Sequence, residues 1–388
     1  MNANPNLTSI TIRGYKPFGD FLAKIGSLEV IAGSNGSGKT SLFEFLKFLR
    51  NSLIYNVPPE IIRGSIGQQI FHYPREEKLM WNIGVNFSQK NQIEYEGNLF
   101  GPLGNPRIIS EKVMTSPPED MEPYFFMMVK NQNGYIQDPE LEKQQDIALI
   151  SSNQLALSIA TNPAMSTLYN LREYIRWWRF YSTLNIADEK IRRSVVVEQD
   201  PILHEDAGNL SSILHFLMTQ HHSAFDDLQH ILRLSIPGFK GLTVRAYGGL
   251  GEVLAFWQEE GVDNLLSLAD LSDGILRFLC WAVLCLQPNP PSLICIDEPD
   301  AGLHPRTLPI LAGLFEKACE RTQILLATHS SYFLKQFDIS RIAVMRKENG
   351  EAKFLKPVNS KVLVENLKDF GQEEIELMHR SDELELLA

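Results

Sequence analysis

The stretch Leu28-Glu-Val-Ile-Ala-Gly-Ser-Asn-Gly-Ser-Gly-Lys-Thr-Ser-Leu42 decides the fold. An apolar strand, Val30 to Ala32, runs into Gly33-x4-Gly38-Lys39-Thr40, and Leu42, Phe45, Leu46 and Leu49 then recur at helical spacing. Strand, glycine-rich turn and helix in that order are the context a P-loop needs. Glycines let the backbone curl so that successive N–H groups point inward at phosphate oxygens. The helix starting near Lys39 adds the positive end of its dipole. On this reading Gly33, Ser34, Asn35, Gly36, Ser37, Gly38, Lys39, Thr40 and Ser41 form a phosphate cradle. Lys39 reaches the β- and γ-phosphates, and the Thr40 hydroxyl is a ligand of Mg²⁺.

The second half of the chain narrows the reading. Pro290-Pro-Ser-Leu-Ile-Cys-Ile-Asp-Glu-Pro299 is a proline-punctuated loop feeding a buried, parallel-type strand that ends in two acids. It has the form of a Walker B segment, in which Asp297 holds Mg²⁺ and Glu298 polarises the attacking water. Two adjacent acids beside a core are costly to place, which favours a site over an exposed turn. Upstream, Leu271-Ser-Asp-Gly274 precedes the apolar run Phe278 to Leu286, where Ser272 and Gly274 suit a helix N-terminus that binds an anion. As an N-cap alone that tetrapeptide needs no ligand. Downstream, Gln323 to Thr328 reads as another apolar strand, and His329 follows it where a γ-phosphate-sensing histidine is expected.

The ordered set GSNGSGKT, LSDG, LICIDEP, DAGLHP and THS resembles the ABC-type ATPases, in particular their SMC/RecF/OLD-like soluble branch. Leu271 to Leu279, Asp297 to Pro305 and the opening Ile10-Thr-Ile-Arg-Gly-Tyr-Lys-Pro-Phe18 are most similar to stand-alone RecF-like ATPases. The resemblance is strong over about 1–50 and 265–335 and faint between them. It implies an α/β fold: a P-loop ABC-type ATPase head with a mixed central sheet, an antiparallel β-lobe and a helical lid. It also implies ATP and Mg²⁺ as cofactors, with Lys39, Glu298 and His329 as catalytic residues. Two heads would face each other head-to-tail, so that Ser272 and Gly274 touch the γ-phosphate held by the opposite subunit, with Asp300 to His304 crossing the seam. A glutamine at the junction of the lobes completes the family's site and joins Thr40 and Asp297 at the metal. Gln154, in Ser151-Ser-Asn-Gln-Leu-Ala-Leu157, is the candidate; Gln68 and Gln69 are rivals, and a solvent-facing role serves any of the three equally.

Between the motifs, Arg63-Gly-Ser-Ile-Gly67 reads as a loop. Leu79 to Phe87, Gln92 to Phe100, Arg107 to Met114 and Tyr124 to Lys130 read as strands joined by turns such as Asn131-Gln-Asn-Gly134. From Gln154 to about Leu234 the pattern is helical. The expected division is therefore 1–78 for the first part of the ATPase core, 79–150 for the β-lobe, 151–264 for the lid and 265–388 for the second part of the core. No sustained heptad run supports a coiled-coil arm. Tyr169 to Arg193 mixes aromatic and basic residues that could stack bases and neutralise phosphates. An amphipathic helix, with Arg172, Arg176 and Arg179 on one face and Tyr174, Trp178 and Tyr181 on another, explains the same pattern. Ile342 to Leu355 reads as a hairpin turning at Asn349-Gly350, followed by an acidic helical tail. That tail is too short for the metal-binding nuclease domain of OLD-type proteins.

The 388 residues are 44% hydrophobic and 21% charged, which excludes collagen-like, disordered and small disulfide-stapled chains. The net charge of −11 argues against indiscriminate coating of nucleic acid. No apolar run approaches the ~18 residues of a membrane span, no signal peptide is visible, and the four cysteines lack CxxC spacing. These features, with the resemblance, lead us to expect a cytoplasmic, membrane-free Mg²⁺-ATPase whose ATP-driven homodimer engagement is a switch. The resemblance suggests DNA repair or phage defence, a separate effector protein, and DNA or RNA as candidate partners. The alternatives are an ATP-binding module with very slow turnover and the nucleotide-binding subunit of an ABC transporter. The transporter would carry a glutamine soon after the signature glycine, where this chain has Ile275-Leu-Arg277.

Overall fold

The computed structural model describes residues 5–57, 78–88, 91–101, 106–116, 122–138, 143–182, 189–371, 373–381 and 383–387. The Arg63–Gly67 stretch and the rival glutamines Gln68 and Gln69 lie outside them. Two compact units interleave along the chain: Met1–Trp178 with Ile339–Glu365 and Asp382–Ala388, and Arg179–Asp338 with Asn366–Ser381.

The first unit carries an eight-stranded antiparallel sheet. Its spatial order is Phe18–Lys24, Asn6–Tyr15, Lys78–Ser88, Asn91–Phe100, Arg107–Thr115, Phe125–Lys130, Asn133–Asp138 and Lys143–Ala148. Alternation builds it: Leu79, Trp81, Ile83 and Val85 are buried on one face of their strand, and Ile93, Tyr95 and Leu99 match them on the next. Asn131 and Gln132, at φ 48° and 73°, make the two-residue turn between Lys130 and Asn133, the left-handed pair that matches strand twist. In the same unit the fully buried strand Leu28–Ala32 runs parallel to Ile342–Glu348. That strand folds back on Glu351–Leu355 through Asn349 and Gly350, as their turn chemistry predicts. The helix Lys39–Ser52 buries Leu42, Phe45, Leu46 and Leu49, the residues of the helical stripe.

Beneath the strand Leu28–Ala32 lies an ion pair. Glu29 is buried, accepts from the Gly26 N–H at 3.1 Å and pairs with Lys356. Burial raises its carboxyl above the usual carboxylate range, and the Lys356 charge partly opposes that rise.

In the second unit Leu293–Asp297 and Gln323–Ala327 pair in parallel, register Leu293 to Gln323 through Asp297 to Ala327. Strands covered on two faces read as unbroken apolar runs, and these do. Asp273–Leu286, Leu308–Ala318, Leu210–Gln220 and His222–Ser235 are its principal helices. An antiparallel pair, Phe239–Ala246 with Glu252–Glu259, lies in the chain between His222–Ser235 and Asp273–Leu286.

The stretch from Gln154 to Leu234 is less uniformly helical than its sequence pattern suggests. The helix Ser166–Arg176 stops, and Trp178–Tyr181 is a strand, in keeping with its aromatic content. Tyr174, Trp178 and Tyr181 are core residues, and Arg172 and Arg176 are both paired with Glu173. The amphipathic helix thus covers only Ser166–Arg176; Trp178, Arg179 and Tyr181 belong to the strand instead, and Trp177 between them is exposed. Among the described residues no helix is long and apolar enough to cross a membrane.

Candidate functional site

The glycine-rich loop is shaped from within. Lys39, first residue of its helix and buried, donates from Nζ to the Gly33 carbonyl at 2.7 Å and the Ser34 carbonyl at 3.1 Å, and approaches Ser37 Oγ at 3.5 Å. The ammonium thus sits inside the loop, bound to oxygens that a phosphate can replace. Ser37 N–H donates to the Ser34 carbonyl at 3.2 Å, and Leu42 N–H to Gly38 at 2.9 Å. Gly33 is fixed by geometry as well as by chemistry: at φ 146° a Cβ would lie 2.1 Å from the Met345 carbonyl oxygen. Ser34, Asn35, Gly36 and Thr40 are exposed along the loop's open side, and Ser41 is half-buried.

Gln154 lies in the same unit, half-buried, in the turn before the short helix Ala156–Ile159. Its N–H donates to Ser151 at 3.2 Å and its Nε2 approaches Ser158 Oγ at 3.5 Å. Glu111, which the sequence gives no reason to single out, caps this turn from the large sheet. Its buried carboxylate accepts the N–H groups of Ala156 and Leu157 and the Tyr95 hydroxyl. Full burial pushes the Glu111 carboxyl up to about 7, against the lowering effect of those three donors.

In the second unit the Walker B acids stand at the C-terminal ends of the parallel strands, where open α/β sheets present ligand sites. Glu298 has φ 54°, a left-handed backbone that L residues rarely adopt. Glu298 N–H donates to Ala327 at 2.8 Å, and its carbonyl accepts from Ala301 at 3.1 Å. Non-glycine residues held this way cost about 1–3 kcal/mol and cluster at functional sites. Asp300 accepts the Thr328 hydroxyl at 2.7 Å, joining the Asp300–His304 loop to the strand end that delivers exposed His329.

The signature turn opens the helix Asp273–Leu286. Ser272 is its N-cap, accepting from Ile275 N–H at 3.4 Å, and is exposed. Gly274 lies so close to the neighbouring loop that a Cβ would come within 2.8 Å of the Gly302 carbonyl oxygen. Arg277 donates to the Ala301 carbonyl at 3.2 Å from the same helix. Ser272, Gly274, Gly302, His304 and Arg306 line an open cavity of about 560 Å³. Sequence reading finds Ser272 and Gly274 but not Arg192, whose guanidinium meets this turn from a distant part of the chain.

Lys39, Thr40 and Gln154 thus belong to the first unit, and Asp297, Glu298, Ser272, Gly274 and His329 to the second. Among the described residues no group of three or more His, Cys, Asp or Glu could hold a metal ion. The set Thr40, Asp297 and Gln154 contains one carboxylate, which suits Mg²⁺ sharing its shell with water and phosphate oxygens rather than a protein-only cage.

The glycine-rich loop after its buried strand, with the Lys39 ammonium inside it, has the form of the phosphate-binding loop of an ATPase. The family described as "AAA ATPase domain" matches residues 6–226, more than half of the chain, and the chain belongs to it. The family described as "AAA domain, putative AbiEii toxin, Type IV TA system" matches residues 141–335. Among solved structures, an Smc head bound to the C-winged helix domain of ScpA superposes with TM-score 0.59 at 13% identity, covering 90% of this chain and 97% of that one. The Smc head with an extended coiled coil, bound to the C-terminal domain of ScpA from Pyrococcus furiosus, gives 0.59 at 12%, covering 94% and 100%. At these identities the likeness is one of fold. No protein of curated function matches the sequence significantly.

Proposed function

We propose that the chain is a Mg²⁺-dependent ATPase that uses ATP-driven, head-to-tail engagement of two copies as a switch. The observation that supports engagement is the signature turn, whose exposed Ser272 cap and helix N-terminus open into the cavity beside the Asp300–His304 loop. Lys39 would exchange its loop carbonyls for the β- and γ-phosphates, and loop N–H groups would hold the remaining oxygens. Thr40, Asp297 and Gln154 would hold Mg²⁺, which neutralises charge on the transferring phosphoryl group when bound. Glu298 would accept a proton from the attacking water, and His329 would report the γ-phosphate. Residues 1–78 and 265–388 would act as the catalytic core, 79–150 as the β-lobe and 151–264 as the lid. A role in DNA repair or phage defence, beside a separate effector, follows from the family likeness and awaits its own test.

The test is the solution mass of Glu298→Gln with Mg²⁺-ATP, with Mg²⁺-ADP and without nucleotide. Doubling of the mass with ATP alone is the expected result. A mass that ignores nucleotide, with ATP shown to be bound, would overturn the switch. Wild-type turnover by this variant would remove Glu298 as the base.

A further inference from the structure

Arg192 ends the short turn Glu189–Arg192 and reaches the residues just before the signature helix. Its Nη1 lies within donating distance of three carbonyls, Leu268 at 3.1 Å, Ala269 at 3.0 Å and Leu271 at 3.0 Å. Its Nη2 donates to Asp273 Oδ1 at 2.7 Å. A trans peptide sets its C=O and N–H on opposite sides. Drawing the Leu271 carbonyl toward Arg192 therefore turns the Ser272 N–H the other way. The ion pair also neutralises Asp273, an acid in the first helical turn that would otherwise repel a phosphate arriving there. The turn also packs through Gly274 against the Gly302 carbonyl. A capping box between Ser267 and Asp270, in which the Ser267 N–H donates to Asp270 Oδ2 at 2.8 Å, fixes the approach.

We propose that Arg192 is the positioning residue of the signature turn, and that it acts on the nucleotide held by the other copy rather than on its own. The inference rests on the head-to-tail reading above and adds the residue that prepares the trans-acting face. Lysine cannot replace it fully, because one ammonium can pair with Asp273 but cannot span three carbonyls and a carboxylate as a fork does.

A mixing experiment separates the cis and trans roles. Arg192→Ala should bind ATP with wild-type affinity, since its own P-loop is intact, yet lose roughly tenfold or more of turnover. Lys39→Ala should be inactive through lost nucleotide binding. Equal mixing places half the chains' partnerships in heterodimers with one complete site of two, so about a quarter of wild-type activity should return. Arg192→Lys, which keeps the Asp273 pair, should fall between wild type and Arg192→Ala, and it serves the same mixture if the alanine variant fails to fold. Turnover of Arg192→Ala within about twofold of wild type would overturn the assignment. So would a silent mixture when Ser272→Arg mixed with Lys39→Ala does recover. If that control pair also stays silent, the head-to-tail reading itself falls.

Discussion

The P-loop and the signature turn both sit at helix N-termini, and they are held differently. In the P-loop the lysine is held by its own loop, Lys39 donating to Gly33 and Ser34 and approaching Ser37, all within six positions of it, while Gly33 backs onto the distant Met345 carbonyl. The signature turn is held from far along the chain, by Arg192 at separations of 76 to 81 residues and by the Gly302 carbonyl against Gly274. A remotely determined turn is competent only when distant elements are in register. On the switch proposed above, a turn held by distant elements would serve as an engagement face that their register controls.

The comparison can be broken at several points. The largest expected effect is on stability. Lys356→Met strands the buried Glu29 carboxylate beneath the P-loop strand, at a cost of about 3–5 kcal/mol in denaturant unfolding. If P-loop shape is local, ATP affinity of the folded variant stays within about twofold of wild type; a larger drop would show that the loop depends on its foundation. Lys39→Ala should lower ATP affinity roughly hundredfold by calorimetry, close to 3 kcal/mol. Near-normal binding there would end the cradle assignment.

Glu111 offers a test by pH. Its carboxyl is raised from 4.5 to about 7, so the folded protein keeps a proton that the unfolded chain has released over that window. Stability from this group is fully present below about pH 4.5 and declines as pH rises to about 7, on the order of 3 kcal/mol. Glu111→Gln should flatten the fall in melting temperature between pH 5 and 7; an unchanged slope would assign it to other groups.

The smallest effect expected is specific to the second copy. Gly274→Ala forces a Cβ against the Gly302 oxygen, and about tenfold weaker ATP-dependent dimerisation in the Glu298→Gln background should follow. Monomer ATP binding should not change. Equal weakening of both would mean that the two helix N-termini are not independent.

Much of this was open to reading along the chain. The period-2 strands from Lys78 to Lys130, the stripe Leu42, Phe45, Leu46 and Leu49, and the Asn349-Gly350 turn are local patterns with one physical solution each. The strand Trp178–Tyr181 is hidden because its aromatic residues also continue a helical stripe for a few positions. The pair Phe239–Ala246 and Glu252–Glu259 lies in a stretch assigned by its motifs to a lid. Tyr169 to Arg193 shows how composition misleads: Tyr174, Trp178 and Tyr181 are core, and Arg172, Arg176, Lys190 and Arg192 are paired with Glu173, Asp206 and Asp273.

By itself the sequence determined the class of fold and the order of its motifs, and it singled out the P-loop and Walker B residues as the candidates. Those depend on residue type at short spacing, where steric and hydrogen-bond preferences act on neighbours. Tertiary structure alone decided that Arg192 clamps the signature turn, that Glu111 caps the Gln154 turn from another sheet, and that Glu298 sits in a left-handed backbone. Each is a contact or strain imposed across tens of residues, and no local pattern encodes a partner that only folding brings within 3 Å.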